Sequence, residues 1–229
     1  AVLGAPFLGG IDASFFSFDG DAFKVNVDER LYAGMQYLSE LNADGLINPG
    51  SGNFADEKTG MAITNCFGLK RTGYFSTMNP DHIGVTYLPK YDENSEQVAS
   101  GLYRGWGLIK GAKNPVAAGI FLRYYLDATN YDLDLTFHSE ELADFFFEVT
   151  GSANTQKKYY YTSGLRMLCG YLSDEYWETD FEKQYERSPS QIKAWIESQL
   201  PLMENMAQAG TDAVEAAKAD IAGTYGTSK

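Results

Sequence analysis

The side chains best able to do chemistry in this sequence are carboxylates. Glu140/Glu141 and Asp174/Glu175 are adjacent acidic pairs in a chain of 31 acidic and 18 basic residues. Two carboxylates flanking a sugar can hydrolyse a glycosidic bond, one as acid and the other as base or nucleophile. Neighbours on a helix do not face each other, however. Glu140 and Glu141 also directly follow Ser139, where a helix dipole favours anions. Glycoside hydrolysis therefore stands as an alternative to binding without catalysis. Serine, histidine and aspartate are all present, but no nucleophile-elbow pattern joins them. His82 and His138 are the only imidazoles, too few for a histidine-based metal site. No metal, cofactor or catalytic residue is assigned. Cys66 and Cys169 lack CxxC spacing; a bridge between them is open, and two buried free thiols are the favoured reading. GSGNFA, residues 50–55, matches the GxGxxA nucleotide pattern, but Pro49 and a helix end stand where a strand is required. It is read as a loop.

Aromatic residues make up 14% of the chain, and three groups of them stand out. These are Cys66-Phe67-Gly68, Tyr103-Arg104-Gly105-Trp106 and Tyr159-Tyr160-Tyr161. Flat rings with polar edges suit sugar faces, which offer C–H groups to a ring and hydroxyls to nearby amides and charges. Three consecutive tyrosines on a helix cannot all enter one core. Aromatic core packing is the competing explanation for all three groups.

The elements that would position these residues read as follows. The first 25 residues, rich in Gly, Phe and Asp, suit loops with a short hairpin. Asn26 with Glu29 forms a capping box, and Leu31, Gly34, Met35, Leu38 and Leu41 share a helical face ended by Gly45. Asn53 caps a short helix through Lys58, and Met61–Thr64 and Ile83–Leu88 are strand candidates. Residues 101–111 read as a strand interrupted by small residues. Asn114-Pro115 opens a helix, Ser139 caps another that stops at Gly151, and residues 156–172 suit a third. Ser188-Pro189 starts the last long helix, which Pro201 should kink or break. The first half mixes helices with short strands, and the second half is nearly all helix.

Composition narrows the partners. A formal net charge of −13 argues against nucleic acid, whose phosphates need clustered Lys and Arg. No run of eighteen apolar residues is present to span a membrane. AVLGAPFLGGID is apolar but lacks the basic start of a secretory signal.

Four stretches, taken in order, resemble the extracellular solute-binding proteins of ABC importers, in the branch that includes maltose-binding protein. They are FKVNVDERLYAGMQYLSELNADGLINP, NFADEKTGMAIT, IGVTYLPKYDE and GWGLIKGAKNPVAAGIFLRYYL. YYYTSGLRMLCG and SPSQIKAWIESQL resemble that family's C-terminal helices more loosely. The resemblance implies an α/β fold, the C-terminal part of a two-lobe, type II periplasmic-binding-protein-like architecture that is helix-rich in its second half. Residues 1–100 would form part of the C-terminal lobe, residues 101–130 would cross to an incomplete N-terminal lobe, and residues 131–229 would return as C-terminal helices. It further implies a sugar or oligosaccharide ligand, a membrane permease as partner, and an extracellular location with a lipoprotein anchor in the full-length form. Carried over by position, Phe67 and Asn65 end the Met-containing strand at the cleft, Trp106 and Arg104 line its other side, and Tyr160 or Tyr161 supplies a further stacking ring. An incomplete lobe would leave apolar surface uncovered, so self-association is expected.

Overall fold

The computed structural model describes residues 4–47, 52–63, 73, 75–101, 112–131, 137–151, 156–159 and 181–225. They belong to two compact units, and from residue 2 onward the chain passes between them four times. One, the long-helix unit, comprises residues 2–48, 87–101 and 156–229; the other, the aromatic unit, comprises residues 49–86 and 102–155, with residue 1.

The long-helix unit opens with α1, Gly4–Gly10. The sequence reading placed loop here, because Gly and Pro weaken helices. Burial of Phe7, Leu8 and Ile11 stabilises the turn against that propensity, and Pro6 sits in the first turn, where no hydrogen-bond donor is required. A hairpin follows, β1 (Phe16–Phe18) against β2 (Phe23–Val25), in the register Phe16↔Val25 and Phe18↔Phe23. Its loop is built around Asp19, whose Oδ1 accepts from the backbone N–H groups of Asp21 at 3.0 Å and Ala22 at 2.8 Å.

Helix α2, Glu29–Ala43, is capped by Asp28, whose carboxylate accepts from Leu31 N at 2.9 Å. Asn26, the cap expected from sequence, instead donates its amide to the Ser14 carbonyl at 3.2 Å. A carboxylate at this position makes a charge-assisted bond and meets the positive helix end, which a neutral amide does not. At the other end Gly45 adopts φ 70°. Its N–H reaches Asn42 O at 3.0 Å while that of Leu46 reaches Leu41 O at 2.9 Å. This is a Schellman closure, and the left-handed position calls for glycine.

Leu31, Gly34, Met35, Leu38 and Ser39 are the buried face of α2, which packs on α1, on a 3₁₀ turn at Phe181–Glu186 and on the last helix, α6 (Pro189–Tyr225). A side chain at Gly34 would place its Cβ 2.6 Å from Ile11 Cδ1 and 2.9 Å from Leu8 Cδ2, so glycine sets how closely α1 approaches α2. The Ser39 hydroxyl, fully buried, donates to the Arg187 carbonyl just before α6.

Helix α6, Pro189–Tyr225, buries Ile192, Ile196, Met203, Met206 and Ala207 and also packs against β2. It runs through Pro201 without the expected break. Pro201 and Glu197, whose carbonyl loses its partner, are exposed, so water can satisfy that carbonyl while buried residues on both sides hold the helix. Two further strands complete the unit. β3 (Val98–Gly101) and β4 (Gln156–Tyr159) pair in parallel, with Val98 opposite Gln156 and Gly101 opposite Tyr159. Residues 156–159, read from sequence as helical, are therefore strand. Pairing with β3 outweighs the weak local propensity of QKKY.

In the aromatic unit, α3 spans Gly52–Ala55 and a 3₁₀ turn spans Pro80–His82. α3 is shorter than the sequence implied, and Glu57 beyond it turns left-handed at φ 57°. Helices α4 (Pro115–Tyr131) and α5 (Glu140–Gly151) begin where the sequence placed them. The core consists of Phe75, Met78, Ile83, Phe137 and Leu142, flanked by Phe54, Ala55, Val85, Ala143 and Phe146. Residues 61–63 and 83–88 carry no strand. Met61 is 87% exposed, so the apolar run holding it does not enter a sheet.

Candidate functional site

All six residues expected at the ligand site, Asn65, Phe67, Arg104, Trp106, Tyr160 and Tyr161, lie outside the described residues, as do Cys66, Cys169, Asp174 and Glu175. The strands that lead to four of them are described. Gly101 and Tyr159 are register partners at the carboxyl ends of two adjacent parallel strands. Arg104 follows Gly101 by three residues, and Tyr160 follows Tyr159 directly. Gly101 and Tyr159 thus share the carboxyl end of one sheet, the end at which parallel sheets bind ligands. Sequence alone did not show this, because β4 reads as helix and a parallel partner more than fifty residues away leaves no local signal.

The other chemically notable surface is an open groove of about 470 Å³ in the aromatic unit, lined by Val85, Glu140, Glu141, Asp144, Phe145 and Glu148. Helix α5 presents all four carboxylates because its opposite side is committed to the core. Leu142 is fully buried, and Phe146 packs on Phe137 with centroids 5.3 Å apart. Ser139 caps the helix, its Oγ accepting from Leu142 N at 3.3 Å. Glu140 and Glu141 stand in the first turn beside the positive end of the helix dipole. Asp144 and Glu148 extend the ridge at four-residue spacing, a signal readable in the sequence as E-E-x-x-D-x-x-x-E but not used there. Hydrolysis needs carboxylates on both sides of the scissile bond, and every carboxylate lining this groove stands on one helix. Among the described residues, no group of three or more His, Cys, Asp or Glu is placed to hold a metal ion. The ridge is the solvated face of an amphipathic helix.

Comparison with protein-family models, curated proteins and solved structures finds no match to this chain.

The remaining charged clusters hold structure together. Lys24 lies 2.7 Å from Asp19. That ammonium, followed by the N–H groups of Ala22 and Asp21, holds the Asp19 carboxyl well below the usual carboxylate range, and the Asp19 carboxylate raises the Lys24 pKa in turn. The Ser95 hydroxyl, 2.8 Å from Asp92 Oδ1, lowers the Asp92 pKa, with help from backbone N–H groups and Arg30. Burial, then the Glu197 charge, raises that of Tyr32, over whose ring Lys193 stands at 5.7 Å. His82 Nδ1 lies 3.0 Å from Glu57 Oε1, both exposed. No helix among the described residues is long and apolar enough to cross a membrane.

Proposed function

We propose that this chain belongs to the substrate-binding component of an ABC importer and holds a sugar or oligosaccharide beyond the carboxyl ends of β3 and β4. The observation that carries the reading is the parallel register Gly101↔Tyr159. It sets Gly101 and Tyr159 side by side at the carboxyl end of a sheet, the end where ligands of α/β folds bind. The ordered resemblance of four sequence stretches supports the transport class. The repeated passage of the chain between two units supports a multi-unit binder rather than a single-core enzyme.

In this reading Phe67, Trp106 and Tyr160 or Tyr161 stack on sugar faces, while Asn65 and Arg104 bond hydroxyls. The bound form is recognised by a membrane permease, and the full-length protein is extracellular and anchored as a lipoprotein. No bond in the ligand is made or broken.

The test is thermal unfolding against a panel of mono- and oligosaccharides. A sugar present at a hundred times its Kd should stabilise the protein by about 2.7 kcal/mol. For a domain of 150–250 residues that is a rise of roughly 5–10 °C in Tm. Trp106→Ala should remove most of that rise. No response to any sugar overturns the reading, and so does release of shortened saccharides, which would favour hydrolysis.

A further inference from the structure

Acidic residues outnumber basic ones by 31 to 18 in this chain, yet two stretches of it hold none. Residues 97–126 contain no Asp or Glu but four cations, Arg104, Lys110, Lys113 and Arg123. Residues 149–173 contain no Asp or Glu but three, Lys157, Lys158 and Arg166. All 31 carboxylates and the other 11 cations lie elsewhere. The structure joins the two stretches. β3 lies in the first and β4 in the second, and they are hydrogen-bonded neighbours in one sheet, with Lys157 opposite Ala99 and Lys158 opposite Ser100. Consecutive residues of a strand take opposite faces, so each face of the sheet holds one of these two lysines. α1, which packs on both strands, contains no charged residue.

We propose that the ligand held at the carboxyl end of β3 and β4 is anionic, a saccharide bearing a carboxylate or phosphate group and not a neutral sugar. This rests on the sugar-binding reading above and names the class of sugar. In a chain of net charge −13, most of the polypeptide repels an approaching anion. The two stretches that contain this sheet oppose it with no carboxylate and offer it cations from both. A site for a neutral sugar has no reason to exclude Asp and Glu, because their carboxylates are good acceptors for hydroxyls. A site for an anion has one, since a carboxylate beside the ligand's own charge costs affinity by like-charge repulsion. Lysine suits the task, because its ammonium is a compact point charge with three rotatable donors that can meet either a carboxylate or a phosphate. Lys157 and Lys158 are the cations that the sheet itself fixes in place.

Calorimetric titration with a panel of hexoses and their oligomers, each in neutral, uronate and 6-phosphate forms, tests this. At low ionic strength an acidic form should bind about tenfold tighter than its neutral counterpart, the difference between a charge-assisted and a neutral hydrogen bond. Whether the uronate or the phosphate leads tells a carboxylated ligand from a phosphorylated one. High salt should shrink the advantage by screening. The double variant Lys157→Gln, Lys158→Gln should bring the ratio to within about twofold, while Lys157→Arg, Lys158→Arg should keep it. The salt series and the arginine pair read the charge even where the glutamine pair disturbs the sheet. A neutral form that binds as tightly as both acidic ones overturns the proposal and leaves the sugar reading standing, whereas no binding by any member of the panel overturns both. An acidic preference that survives high salt or a folded glutamine pair overturns the assignment to this sheet. Acetate or inorganic phosphate binding as tightly as the acidic sugar overturns it too, because the sugar ring would then contribute nothing.

Discussion

The two units use apolar residues in opposite ways. In the long-helix unit, α2 and α6 each turn a periodic face inward, and Leu31, Met35, Leu38, Ile192, Ile196, Met203 and Met206 are nearly fully buried. In the aromatic unit a small cluster around Phe75, Phe137 and Leu142 is buried, while α4 leaves Val116, Ile120, Phe121 and Tyr124 in solvent. Aliphatic stripes at helical spacing interdigitate and complete a core by themselves. A unit whose described rings and branched side chains face outward draws less on its own core. Stability is thus expected to reside in one unit more than in the other.

The strongest way to break this contrast is to cut into each core. Phe75→Ala should cost about 3–5 kcal/mol and Ile196→Ala about 2–5 kcal/mol. Hydrogen exchange should then accelerate in α5 for the first and in α2 and α6 for the second. If either substitution loosens both units equally, the contrast fails. Gly34→Leu should cost about 1–3 kcal/mol, by pushing Ile11 and Leu8 away from α2. An unchanged denaturation midpoint would show that α1 contributes little to its unit. Ser39→Ala should cost about 1–3 kcal/mol in urea denaturation, because the Arg187 carbonyl loses its donor in a buried place.

The smallest effect is expected at Asp19. Its carboxyl titrates lower in the folded chain than the ordinary value of about 3.9. The folded state therefore binds fewer protons there than the unfolded one, and the contribution is present above that value and lost as pH falls below it. The carboxyl resonance of Asp19 should titrate well below that of an unstructured peptide, and Asp19→Asn should flatten the acid limb of hairpin melting. A normal titration would remove the Lys24 contact from the account.

Helix starts were legible because they are chemically local. Pro115 after Asn114, Glu140 after Ser139 and Pro189 after Ser188 each place a cap or a preset φ at one position, and Gly45 closes α2 where the sequence placed it. What was not legible depended on distant partners. QKKY becomes strand through pairing with residues 98–101, and GAPFLGG becomes helix through burial against α2. Asn26 loses the capping position to Asp28 because Ser14 takes its amide. IGVTYL and residues 61–63 have strand composition but gain no strand neighbour among the described residues. Of the candidate site, sequence supplied the aromatic groups. The shared carboxyl end of β3 and β4 came only with the pairing.

That pairing has a consequence for how the molecule is made. Because β3 and β4 are parallel, no short hairpin can join them. The intervening chain, which includes α4 and α5, has to emerge from the ribosome before the first hydrogen bond between them can form. Closing so long a loop costs entropy that later contacts must offset, so this little sheet is a late event in folding. Until it forms, the newly synthesised chain carries α4 and α5 between two unpaired strands. During that interval the growing polypeptide is most exposed to wrong associations.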